Sequence, residues 1–181
     1  EVGKAKEPNK TIIRPGREAQ ILRKCISNNL GKIKPEVIHS IWRELVTASC
    51  LIQGPLNIIV CAPTKSVGYW SLARDHFGSL VSMKINKSAK QTIQLVNKST
   101  DSMGLLPLPE EYDSQNWWPL LISPNNSLPM IVGKLPFLRS SDNKLEKLNG
   151  ILIANFFPEK SGNDETWIVL EMNKKISFAL M

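Results

Sequence analysis

The pattern of apolar and polar positions between Arg14 and Gln53 predicts two helices. In RPGREAQILRKCISNN, Ile21, Leu22, Cys25 and Ile26 recur at helical spacing, and Glu18 sits one turn before Leu22 on the same stripe. In PEVIHSIWRELVTASCLIQG the stripe reads Ile38, Ile41, Leu45, Ser49, Ile52 and Gln53. Pro15 and Gly16 open the first helix, and Asn28, Asn29 and Gly31 stop it. Pro35 occupies the first turn of the second, and Gly54-Pro55 breaks it sharply. EVGKAK, with Val2, Ala5 and Lys6 near one face, reads as the tail of a helix that Pro8 ends. On that reading the chain is a fragment whose first helix begins upstream of residue 1.

After Gly54 the pattern changes. LNIIVCAP is expected to be a buried strand, and Gly68 to Phe77 a helix closed by Gly78. VSMKI follows as a strand, Ser88 to Asn97 as a helix with Ile93 and Val96 inward, and MGLLPLP as another strand. That alternation implies a small α/β domain with a largely parallel sheet. WWPLLIS, PMIVGKLPF, GILIANFF and TWIVLEM read as further strands, which leaves a mixed sheet open. In a strand, the adjacent Trp117 and Trp118 would face opposite sides. Residues 109–116 and 123–128 read as polar loops. The expected architecture is multidomain, α then α/β: a helical domain at 1–53, a linker at 54–56 and an α/β domain at 57–181.

Composition narrows the function. With 181 residues, 42% of them apolar, the chain has ample material for a core. No apolar run is long enough to span a bilayer, and no signal-peptide pattern opens the chain. Residues 1–53 hold ten Lys/Arg against five Asp/Glu, whereas residues 54–181 hold thirteen against eleven. A basic first third points to an anionic partner. Nucleic acid is one candidate, but the cations are not interleaved with aromatics and form no binding motif; a small dianionic metabolite needs only a few converging cations, and a merely basic surface is the alternative to both. Cys25, Cys50 and Cys61 lack metal-type spacing and read as small hydrophobes in a reducing cytoplasm. His39 and His76 stand alone and read as exposed helix residues without a metal or catalytic role.

The polar residues on the helical stripes need partners or a ligand. Lys6 supplies a point charge, Arg17 a forked donor, Ser49 a hydroxyl and Gln53 an amide. Glu18, whose place in the first turn the helix dipole favours in any case, can accept from a hydroxyl. No activated nucleophile, metal cluster or phosphate loop accompanies them. Such a set binds a polyanion and acts by placing charge, which suits a reaction whose transition state separates charge without covalent help.

EVGKAK, RPGREAQILRK and IWRELVTASCLIQ together resemble the all-helical chorismate mutase family over residues 1–53. In that family the first helix ends in Val-Gly-x-x-Lys, the second opens with Arg-Glu and the third carries Ser-x-x-x-Gln. Lys6, Arg17, Glu18, Ser49 and Gln53 match these positions in order. The resemblance implies a bundle of long helices in an intertwined homodimer, converting chorismate to prephenate with no cofactor or metal. Lys6 and Gln53 would be catalytic, hydrogen-bonding the ether oxygen as its bond breaks. Lys6, Arg17 and Ser49 would meet carboxylates, and Glu18 the ring hydroxyl. The family also uses two arginines earlier in its first helix and a carboxylate before the Arg-Glu pair. The arginines would precede residue 1, and Thr11 to Arg14 offer no carboxylate.

The later region resembles prephenate dehydratase in part, as a three-layer α/β unit like one lobe of that enzyme. LNIIVCAPTKS, SLARDHFG, SMGLLPLPE and SGNDETWIVLEM stand where that family has its motifs. The glycines of its first motif are lost, Pro109 and Glu110 replace its acid-Asn-Ser run, and Ala154-Asn155-Phe156 replaces its Thr-Arg-Phe triplet. The expectation is a degenerate domain without dehydratase activity. It would stabilise a dimer, bind a regulatory amino acid or dock onto another pathway enzyme. The competing class is a non-catalytic regulatory or interaction protein that keeps the mutase scaffold; a dehydratase acting on prephenate is disfavoured by the lost motifs.

Overall fold

The computed structural model describes residues 12–62, 66–109, 117–122, 129–138 and 148–168. The helix tail expected at residues 1–6, and with it Lys6, lies outside the described residues, as do all of the expected polar loop 123–128 and all but the first residue of the expected loop 109–116. Helix α1 runs Pro15–Ser27 and helix α2 Pro35–Gln53, each with proline in its first turn. Proline there gives up only an N–H that has no helical partner. The chain leaves α1 through Leu30 and Gly31, both at positive φ, 48° and 73°.

Strand β1 spans Asn57–Cys61, helix α3 Ser66–Phe77, strand β2 Ser82–Asn86, helix α4 Ala89–Asn97 and strand β3 Ser102–Pro107. Strands β4, Met130–Leu135, and β5, Gly150–Ala154, complete a sheet of order β2-β1-β3-β5-β4. The β1–β2 and β1–β3 pairs are parallel, whereas β5 runs antiparallel to both β3 and β4. The expected largely parallel sheet is therefore half antiparallel. Ser88 caps α4 by accepting from the Gln91 amide at 3.3 Å.

The sheet is covered on both faces. On one, Ile58, Val60, Met103, Leu105 and Leu152 pack with Tyr69, Ala73 and Phe77 of α3. Ile13, Cys50 and Leu56 belong to the same cluster, so the core is continuous across the Gly54–Leu56 junction. On the other face, Ile59, Leu106, Ile151 and Ile153 pack with Ile93 and Val96 of α4 and with Trp117.

Three expectations need correction. WWPLLIS is not a strand: Trp118–Leu121 is a single 3-10 turn, with Pro119 where a central strand would need a ladder donor. Trp117 is buried and its indole Nε1 donates to the Pro107 carbonyl at 2.9 Å, while Trp118 packs half-buried on the same cluster. Of TWIVLEM, residues 166–168 form no strand; Trp167 instead stacks on Trp117 with centroids 6.3 Å apart.

The third concerns α2. Its buried residues are Arg43, Thr47 and Cys50, whereas Ile41, Leu45 and Ile52 are 56%, 61% and 84% exposed. The helix carries two faces, and packing against α1 and α3 selects the one bearing the arginine. Periodicity identifies an apolar stripe but not which neighbour it meets.

Candidate functional site

The start of α1 and the middle of α2 enclose an open groove of about 340 Å³. Arg14, Arg17, Glu18 and Ser49 supply its polar lining; Ile21, Trp42 and Val46 are among its apolar walls. That size falls at the lower end of small-molecule sites. Arg17 and Ser49 are exposed, while Glu18 is 7% exposed. Three of the five residues singled out by sequence thus share one groove. Gln53 lies one turn beyond Ser49, half-buried, and its Nε2 donates to the Ser49 carbonyl at 2.9 Å. It is not among the lining residues of the groove.

Glu18 is held from two sides. Its Oε1 accepts from the Arg14 backbone N–H at 3.2 Å, satisfying an amide at the helix start that has no helical partner. Its Oε2 accepts from Arg43 Nη2 at 2.8 Å. Arg43 is 2% exposed, so this is a buried ion pair. The Nε of Arg43 donates to the His76 carbonyl in the last turn of α3, where a helix end leaves carbonyls free and favours a cation. Next to it, the Glu44 carboxylate accepts from the Ser79 backbone N–H at 2.8 Å and from Ser79 Oγ at 3.1 Å. Gly78, at φ +78°, makes this approach possible: a Cβ there would stand 2.8 Å from the Glu44 carboxylate.

Around Arg43 lie the two histidines, and neither is the exposed residue that the sequence suggested. His76 is buried, edge-on to Phe77 and Phe137 with centroids 4.7 and 4.6 Å apart. Burial holds its pKa well below the ordinary histidine value, helped by the charges of Arg43 and His39. His39 is half-buried and its pKa is lowered, first by burial and then by Arg43. Among the described residues, His76 Nδ1, His39 Nε2, Trp42 Nε1 and Arg43 Nη1 have no hydrogen-bond partner.

A second tie reaches α1 from beyond β5. Glu159 receives a fork from Arg14, with Nε at 2.8 and 3.1 Å from its two oxygens and Nη2 at 2.8 Å. Gln20 Nε2 donates to the Lys160 carbonyl at 2.9 Å, and Arg23 Nη2 to the Ser161 carbonyl. Gly16 lets this segment lie close, since a Cβ would stand 2.6 Å from the Glu159 carbonyl oxygen. Arg14, Arg43 and Glu159 were all missed by sequence reasoning. The one available signal was Glu18 itself, because a buried carboxylate demands a cation.

The cysteines follow expectation: Cys50 and Cys61 are buried, Cys25 is half-buried, and none is in a disulfide. Burial pushes the Cys61 thiol up to about 11, against a weaker opposing hydrogen bond from Thr92. No group of three or more metal-ligating side chains occurs among the described residues. No helix among them is long and apolar enough to cross a membrane.

The groove thus gathers two arginines, a carboxylate and a hydroxyl from α1 and α2 between apolar walls. Residues 1–54 match the family model of chorismate mutase type II. The match ends at α2, and the mixed sheet with its covering helices lies outside it. No curated protein and no solved structure matches the chain.

Proposed function

We propose that the helical segment is a chorismate mutase, turning chorismate into prephenate by a pericyclic rearrangement in aromatic amino-acid biosynthesis. The observation that carries this reading is the convergence of Arg17, Glu18 and Ser49 on one groove inside the segment that matches the family. Arg17 and Ser49 bind substrate carboxylates. Glu18 takes the ring hydroxyl: its carboxylate has about four acceptor sites and spends two on Arg14 and Arg43. Lys6 and Gln53 meet the ether oxygen as negative charge builds there, and Lys6 also meets a carboxylate. Preorganised donors of this kind stabilise the transition state without a cofactor.

A homodimer is part of the proposal. Val37, Ile41, Leu45 and Ile52 form one exposed stripe along α2. A second copy covering that stripe would bury it. The setting is cytoplasmic, consistent with free cysteines. We read the α/β region as a degenerate relative of one prephenate dehydratase lobe. Asn155, inside the segment replacing that family's catalytic triplet, donates to the Val96 and Asn97 carbonyls at 3.0 and 2.9 Å, a helix-capping role. A regulatory amino acid or another pathway enzyme is its expected partner.

The position of Gln53 favours a second reading, a non-catalytic interaction protein on the mutase scaffold. Its amide is turned to the Ser49 carbonyl. Loss of chorismate absorbance on adding the chain decides between the two. Turnover that collapses in Gln53→Ala supports the enzyme; a folded chain without turnover supports the scaffold.

A further inference from the structure

The carboxylate of Glu18 is the only acid lining the groove among the described residues, and its place depends on a residue outside that lining. Arg43 cannot touch a ligand in the groove, being buried behind it. Its two contacts reach two different helices: Nη2 to Glu18 on α1, and Nε to the His76 carbonyl at the end of α3. A guanidinium is a planar fork, so fixing Nε on one helix end sets the direction in which Nη2 presents its proton. The end of α3 is itself held against α2 by Glu44 and Ser79. We propose that Arg43 is a positioning residue that sets the Glu18 carboxylate for the substrate hydroxyl, using the last turn of α3 as its anchor. On this view the α/β region is a working part of the groove, since α3 lies beyond the segment matched to the mutase family. The inference rests on the chorismate mutase reading of the groove.

The kinetics of the full chain separate positioning from mere folding. A hydroxyl held equally in ground and transition states contributes uniform binding, so its loss raises KM and leaves kcat nearly unchanged. A folding defect does the reverse, lowering the active fraction and the apparent kcat at constant KM. Arg43→Met should raise KM for chorismate about tenfold. Arg43→Lys keeps a charge for Glu18 but lacks the fork, and should fall between wild type and Arg43→Met; it also serves if Arg43→Met does not fold. Arg43→Lys in a Glu18→Gln background should add nothing to the KM of Glu18→Gln alone. Glu44→Ala, which loosens the α3 anchor without touching Arg43, should raise KM in the same direction by a smaller factor. An active wild type whose KM is unmoved by Arg43→Lys and Arg43→Met overturns the positioning role alone. A wild type that neither turns over chorismate nor binds prephenate by calorimetry overturns the mutase reading and this inference with it.

Discussion

Arg14 and Glu159, one at the start of α1 and the other just beyond β5, meet through a two-pronged ion pair at 2.8 Å on the rim of the groove. Both side chains are about one-third exposed, at 33% and 39%, so the pair adds little stability, on the order of 0–1 kcal/mol. Its larger effect is on the groove, because Glu159 neutralises a cation that lines it. Glu159→Gln should release Arg14 toward the proposed dianionic substrate and lower its KM about threefold at low salt. The gain should shrink as added salt screens the freed charge. Steady-state kinetics over a salt series test this; an unchanged or raised KM at low salt would show that Glu159 does not restrain Arg14.

The Arg43–Glu18 pair predicts a different kind of loss. Removing one partner of a buried ion pair leaves the other charge uncompensated, typically at a cost of 3–5 kcal/mol. Arg43→Met should therefore lower the urea midpoint far more than Arg14→Met, whose partner Glu159 is exposed to solvent. The double change Glu18→Gln with Arg43→Met should recover part of the loss, since no lone buried charge remains. Equal midpoints for the two arginine variants would argue against this account.

Stability should fall as the solution is acidified from neutrality. His76 is buried and its pKa lies well below 6.5 in the folded chain. Below pH 6.5 the unfolded state takes up a proton that the folded state refuses, so the unfolded state binds more protons and stability drops with falling pH. The limiting slope is about 1.4 kcal/mol per pH unit for one group. His39 acts with the same sign over the same range, and Asp75, whose carboxyl is raised by burial, acts with the opposite sign once the pH falls through its raised pKa. Denaturation at several pH values between neutral and mildly acid should show the slope, and His76→Phe should flatten it. A wild-type slope of zero would place His76 in contact with water.

Much of the fold was legible because local signals agreed. Pro15, Pro35, Gly54 and Gly78 mark helix ends, and the apolar runs at β1, β3 and β5 are strands buried on both faces. What failed depended on neighbours that periodicity does not report. The run around Pro119 is apolar enough for a strand but lacks the donor. The antiparallel half of the sheet is set by how β5 enters between β3 and β4, which no short motif encodes. The groove was half legible: Arg17, Glu18 and Ser49 stood out as polar residues on helical stripes. Arg43 did not, because a single arginine on an amphipathic helix reads as solvent-facing until its partner is known.

The exposed stripe on α2 makes the assembly testable. Ile41→Glu and Ile52→Glu each place a charge on residues that are exposed in the single chain. If a second copy covers the stripe, either change should shift the protein to monomer in sedimentation. Activity should fall with it if residues of the second copy complete the groove. If the stripe is a solvated face, both variants should sediment and turn over like wild type.

Gln53 carries the sharpest test of chemistry. Its amide donates to the Ser49 carbonyl one turn earlier, so reaching an ether oxygen in the groove requires that contact to be exchanged for substrate. If the exchange occurs only as charge builds on the oxygen, Gln53 stabilises the transition state more than the ground state. The signature is then a fall in kcat with little change in KM. Gln53→Ala should lower kcat by about 100- to 1000-fold, the range for one preorganised donor. Gln53→Glu should lose as much near neutral pH, where the carboxylate repels the forming charge, and recover in acid, where the protonated acid donates again. An acid-dependent recovery in Gln53→Glu that is missing from Gln53→Ala would place the side chain at the breaking bond. A kcat within a few-fold of wild type for Gln53→Ala would leave the amide as a brace for the end of α2.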